Sequence, residues 1–336
     1  MLQFIAGRIA YSVAMALAAT VVIFLITNMA PGDPVIMQLG DMAASNPKIV
    51  AEWRHKYGLD LPLSERYFIF LGGVVHGDLG TSIVSRRPVL DDIEQYAPAT
   101  VELASCGFLL SLAVGIPLGI VAAVKRDSVI DHFARLVSLL GVASPTFWLA
   151  FIMLAVFYGW LGIAPGAGRF DQIAIPPPDV TGFLLIDTLL DSDLEGFQDA
   201  LAHLALPSIV LAAATIGLIT RTTRASMLEC IRQDYVRMAQ AKGLGQWKVI
   251  MGHVWPNALI PVVTLAGLAY ANLLTGAVLT ETVFSWPGLG RYTFTSAAGL
   301  DFPSIMGITL IVAVTYLVIN LLVDVSYPFL DPRVRR

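Results

Sequence analysis

The stretch "DYVRMAQAKGLGQWKVIMGHVWPNALIP", Asp234–Pro261, decides how this chain is read. It is basic and partly amphipathic, yet it stands in the last third of a 336-residue chain that is 56% hydrophobic and only 14% charged. Mean hydropathy is +0.73, whereas a soluble domain is roughly one quarter charged. The composition predicts a membrane protein, with a soluble-looking helical segment held between two of its spans.

Apolar runs of about 20 residues predict six spans, at Ile9–Met29, Thr100–Val124, Leu136–Leu161, Leu204–Ile219, Pro261–Phe284 and Ser304–Tyr327. The first is too long for a signal-peptide core, and no clear cleavage site follows before "APGDP", so it reads as a retained helix. The fourth is short, and Pro207 leaves its outer boundary open. Lys and Arg in the short loops set the orientation. Lys125, Arg126 and Arg135 follow the second span, and Arg221, Arg224, Arg232, Arg237, Lys242 and Lys248 follow the fourth. The tail adds Arg333, Arg335 and Arg336, while the acidic loop after the third span has Arg169 alone. Both termini and the loop 220–256 are thus expected in the cytoplasm, with loops 30–99 and 162–203 outside.

The first outer loop is expected to be a cap of short helices, from the spacing of Val50, Trp53 and Tyr57 and the turn at "HGDLG". Pro176, Pro177 and Pro178 forbid helix and strand in the acidic loop, and helix is expected to resume near Gly196. Neither loop is long enough for a core of its own, so 1–336 reads as one transmembrane domain.

Catalytic and metal motifs are missing. There is no GxxxxGK[ST], HExxH or CxxC, and His55, His76, His132, His203 and His253 are scattered. Cys106 and Cys230 fall at different depths, which argues against a disulfide. A net charge of −4 argues against nucleic acid. Ser144 beside Pro145 reads as a polar residue at a proline kink rather than a nucleophile. Glu102, Glu281 and Asp324 sit at span boundaries, so an ion-coupled carrier lacks the mid-membrane charge it needs. A channel would need an ordered polar ring, and a membrane enzyme a nucleophile with its base. Ser144, Thr146, Asn272 and Thr275 either line a translocation path or bond to a neighbouring helix. Arg221 and Arg224, one turn apart, either guard the cytoplasmic exit or anchor in lipid headgroups, and anchoring is the favoured reading.

"AQAKGLGQWKVIMGHVWP" resembles the cytoplasmic-loop signature of ABC importer permeases, Glu-Ala-Ala, three residues, Gly, nine residues, Ile-x-Leu-Pro. Gly243 and Pro256 fall on its glycine and proline; Arg237, Met238 and Ala239 replace the first triplet, and His253, Val254 and Trp255 the Ile-x-Leu. Tyr235–Leu244 and Asn257–Thr264 are similar to the peptide-permease forms "YVRxAxAKGL" and "NALIPVVT". "YGLDLPLSERY", "HGDLGTSIVSRRPV", "PATVEL", "LTETVFSWPGLGRY" and "NLLVDVSYPFLDPRVRR", in order, extend the resemblance over nearly the whole chain.

The resemblance implies an all-α membrane protein with the type I ABC importer permease fold, six transmembrane helices and cytoplasmic coupling helices, in a bacterial inner membrane. Its implied partners are a homologous second permease subunit, two ATPase subunits, an extracytoplasmic substrate-binding protein and membrane lipid. The chain itself would be non-catalytic and without cofactor, ATP and Mg belonging to the ATPases. It implies ATPase docking through Tyr235, Ala239, Lys242, Gly243 and Leu244. "TGFLLIDTLL" is similar to the dipeptide and related antimicrobial-peptide branches, with nickel chelates, glutathione and peptide-like sugars or opines as competing cargoes.

Overall fold

The computed structural model describes residues 2–29, 46–56, 60–171 and 173–330. "APGDP", Tyr57 and the tail arginines Arg333, Arg335 and Arg336 lie outside them, as does the side chain of Trp53. In chain order the helices are α1 (Leu2–Met29), α2 (Pro47–Lys56), α3 (Leu63–Val75), α4 (Val89–Val124), α5 (Val129–Ala143), α6 (Thr146–Met153) and α7 (Leu184–Leu190). Then follow α8 (Leu194–Ile231), α9 (Asp234–Ala241), α10 (Gln246–Val249), α11 (Trp255–Gly276), α12 (Val278–Val283), α13 (Leu289–Ala298) and α14 (Phe302–Leu330). Among the described residues a single β-bridge, Thr81 to Pro88, is the only extended pairing.

Five stretches are long and apolar enough to cross a membrane, and α5 with α6 forms a sixth only as a pair bent by 105°. The third expected span, Leu136–Leu161, is therefore not one rod. Pro145 disfavours helical geometry in the residue before it, and Ser144 is extended at φ −79° and ψ 126°. The chain turns there, and α6 then loosens into a π-helix at Leu154–Trp160.

The fourth span also departs from expectation. Helix α8 has 38 residues and runs straight through Pro207, long enough at about 1.5 Å per residue to cross a hydrocarbon core of about 30 Å and project from it. Pro207 is buried, and membrane helices tolerate proline where neighbours pack against the freed backbone. Apolar periodicity stops at Leu204 because the ends of α8 are polar, not because the helix ends.

Helix α8 is the spine, packed on α4, α5 and α11. Its contact with α5 needs a missing side chain: a Cβ on Gly217 would lie 2.5 Å from the Ser138 carbonyl oxygen. The end of this contact nearest the loop between α4 and α5 is pinned by charge. Arg224 of α8 donates to both oxygens of Asp131 in α5, at 2.6 and 2.9 Å, and Arg135 donates at 2.8 Å. Asp131 is fully buried. Arg224 is thus an interhelical clamp rather than a headgroup anchor; Arg221 stays exposed. A lone guanidinium beside a membrane helix looks like an anchor until its partner, far off in sequence, is brought beside it.

At the opposite end, the lone Arg169 of the acidic loop bonds Glu102 of α4 at 2.6 and 3.1 Å and the Gly182 carbonyl at 2.8 Å, and stacks over Trp286. The other Glu102 oxygen accepts from the Leu185 amide. "TGFLLIDTLL" is folded over this pair: Asp187 accepts from the Thr181 amide and hydroxyl and the Gly182 amide. Burial opposes the charge on Asp187, but these hydrogen bonds outweigh it and hold the carboxyl below its ordinary range. Neighbouring Glu281 is buried, accepting from the Thr100 hydroxyl and the Arg291 amide, so it ties α4 to the start of α13. The hairpin around the β-bridge is held through Asp92, which accepts from the Ser85 hydroxyl of the hairpin and from Tyr292, itself bonded to Ser304; burial pushes the Tyr292 phenol up to about 12. The expected cap of short helices is present as α2 and α3, with Tyr67 and Phe70 of α3 against Phe24 of α1.

Candidate functional site

Two features stand out once the helices are placed: a paired-helix projection at one end of α8 and a cavity between α5, α6, α8 and α11. The projection, α9 and α10, leaves α8 at Arg232 and re-enters the bundle through α11. Asp234–Ala241 has one apolar stripe, and its Val236 and Ala239 join Met227, Val249, Ile250 and Val254 in a buried cluster with the end of α4. Helical spacing dictates that what flanks the stripe faces out. The re-entry passes through a π-turn, Ile250–Val254, just before Pro256. Pro256 has no N–H, so the ladder cannot continue normally there; Asn257 turns its side-chain amide to the His253 carbonyl at 2.7 Å.

The turn between the two helices is made by Gly243 at φ +77°. A Cβ there would meet nothing within 4 Å, so the glycine is required by backbone conformation and not by crowding. Lys242, Gly243 and Leu244 stand exposed at the tip. Tyr235 is at the base, 39% exposed; burial and the adjoining Cys230 raise its phenol above the ordinary value. Ala239 points the other way, into the chain's own core at 6% exposure, and so joins the projection to the bundle rather than offering surface.

Two exposed apolar side chains on this projection, Met238 and Trp247, and a third on the re-entry turn, Met251, escaped the sequence reading. The signal was present, because once Val236 and Ala239 define the inward stripe, Met238 is an apolar residue on the outward one. Large apolar groups grouped on a projecting surface mark a contact.

The cavity is about 300 Å³ and includes Thr146, Thr215, Asn272, Leu211 and Leu273 in its walls. The structure therefore brings two of the four mid-span polar residues, Thr146 and Asn272, together on one space. Ser144 is at the α5–α6 break and outside its walls. Thr275 also lies outside and donates to the Asn272 carbonyl at 3.3 Å. Thr215, on α8, is not among the sequence candidates, and a single hydroxyl in an apolar run gives no sign of the cavity it faces.

A helical membrane protein with six crossing segments, an apolar cavity between them and an apolar-faced projection has the parts of a transport subunit. Family models give the class its name. Residues 115–336 match the binding-protein-dependent transport system inner membrane component, and residues 1–104 match the N-terminal region of the same kind of membrane component. The chain belongs to this family of transport-system membrane components.

Similarity to named proteins spans the full length. It is 46% identical over 316 residues to the probable D,D-dipeptide transport system permease protein DdpB of Escherichia coli K12, covering 94% of this chain and 92% of that one. It is 41% identical over 337 residues to the dipeptide transport system permease protein DppB of the same strain, covering 100% and 99%. The di/tripeptide transport system permease protein DppB of Pseudomonas aeruginosa is 41% identical over 335 residues, at 100% and 99% coverage. Among solved structures, the inward-facing MetNI methionine ABC transporter overlays with TM-score 0.49 at 15% identity, covering 69% of this chain and 93% of that chain.

Proposed function

We propose that this chain is the first permease subunit of an ATP-driven importer of short peptides, dipeptides foremost, in a bacterial inner membrane. The observation that carries the reading is the end-to-end identity of 41–46% with dipeptide permeases. The physical layout supports it. The cavity walls carry hydroxyls and an amide but no ionised group, so zwitterions with varied side chains can pass without being trapped at a fixed charge.

In this reading the chain follows the type I importer permease fold, pairs with a homologous permease, and receives cargo from an extracytoplasmic binding protein. Two ATPase subunits bind the cytoplasmic projection and hold the ATP and Mg; the chain itself does no chemistry. Docking uses Tyr235, Lys242, Gly243 and Leu244 together with Met238 and Trp247, with Ala239 seating the projection behind them. Thr146 and Asn272 line the path. Both termini are cytoplasmic. Deleting the subunit in its host and measuring labelled dipeptide uptake beside labelled nickel tests the cargo: intact peptide uptake with lost nickel uptake overturns the peptide assignment and leaves the importer standing. Cys230 is half-buried and a slow reporter, so Lys248→Cys probes orientation; rapid labelling of intact spheroplasts by an impermeant thiol reagent reverses the topology.

Gly243→Val tests the projection. A β-branched residue in the left-handed region costs about 1–3 kcal/mol, enough to shift the α9–α10 turn while the spans remain folded. Copurification of the ATPases is expected to fall and uptake to stop. A variant that keeps its ATPases and its transport rate places docking elsewhere.

A further inference from the structure

Four hydrogen-bonding side chains from four separate segments converge on a second cavity, about 270 Å³, at the root of the projection. Arg126 comes from the turn after α4, Arg232 from the end of α8, Gln240 from α9 and Gln246 from the start of α10. The inner wall is apolar, including Leu228, Val249 and Val254, and no acidic residue lines the space. Arg126 meets Asp127 at 3.2 Å across exposed surface, a kind of contact that holds a guanidinium weakly. The C-terminal ends of α4 and α8 point the same way and contribute roughly half a negative charge each, which two full guanidinium charges exceed.

An apolar wall with a cationic, donor-rich mouth, at the depth where two spanning helices end, is complementary to an amphiphile with an anionic head. We propose that this cavity holds the headgroup of an anionic membrane phospholipid. The phosphate sits on Arg126 and Arg232, the amides of Gln240 and Gln246 donate to its oxygens, and the first methylenes lie on Leu228, Val249 and Val254. Basic pockets between membrane helices on the cytoplasmic side take such headgroups; the proposal rests on the cytoplasmic placement of the projection. Because the walls belong to both the spans and the projection, the lipid braces the joint through which ATPase movement reaches the bundle.

The test uses the permease assembly as it copurifies, in neutral detergent, offered phosphatidylglycerol or phosphatidylcholine, with retained lipid counted by native mass spectrometry. Phosphatidylglycerol retention is expected, with a loss of roughly 30-fold in Arg126→Gln/Arg232→Gln, about 1 kcal/mol for each cation. Lys125→Gln, next to the cavity but outside its walls, is expected to keep it. Equal loss in Lys125→Gln means diffuse surface attraction, and equal retention of phosphatidylcholine means no charge recognition; either overturns the proposal. So does inorganic phosphate binding in the absence of any lipid retention. Failure of the importer reading shows separately, as missing ATPases and unchanged peptide uptake, and failure of the orientation as Lys248→Cys labelling from outside.

Discussion

Asp131→Ala is expected to destabilise the bundle by about 3 kcal/mol, which places it among the most damaging single changes outside the apolar core. Breaking a buried ion pair by removing one partner costs about 3–5 kcal/mol because the other charge is left unpaired. The low end applies here, since Arg224 keeps 21% of its side-chain surface exposed and Arg135 47%, so both guanidiniums recover some water. A thermal melt of the purified assembly reads the effect, and an unchanged melting temperature would show that the clamp adds nothing. Asp131→Leu combined with Arg224→Met is expected to be much milder than either alone, because it removes both charges from the low-dielectric contact.

Arg169→Met is expected to cost about 3–4 kcal/mol and to loosen the acidic loop. It leaves Glu102, with only 6% of its side-chain surface exposed, holding a single hydrogen bond from Leu185, and buried charges without partners are what single substitutions penalise most. It also frees the Gly182 carbonyl. Hydrogen exchange across residues 181–190 should rise while that of α8 is unchanged. Adding Glu102→Met to the same chain should restore most of the melting temperature. Persistence of the loss in the double variant would mean that Arg169 acts through Trp286 or Gly182 and not through Glu102.

These two ion pairs also mark where one-dimensional reading stops. Asp131 and Arg224 are 93 residues apart, and Glu102 and Arg169 are 67 apart. Periodicity registers which face of a helix is apolar, but it carries no information about which distant charge will lie opposite. Arg224 accordingly looked like a lipid anchor and Glu102 like a boundary residue. Similarly, Thr146 and Asn272 were legible as polar residues in apolar runs, whereas their meeting with Thr215 on one cavity required the 105° bend at Ser144–Pro145.

Local residue patterns were enough to give the solvent, the helical class, five of the six crossings in type and approximate place, and the glycine turn of the projection. Those follow from local causes: hydrocarbon leaves helix as the open-ended way to satisfy a backbone, and a left-handed turn selects glycine. Tertiary structure decided the rest. It carried α8 through Pro207, bent the third crossing into two rods, turned Ala239 inward and left Met238 and Trp247 outside. Each outcome depends on what packs against the residue from elsewhere in the chain, and packing partners are chosen by the whole bundle rather than by neighbours in sequence.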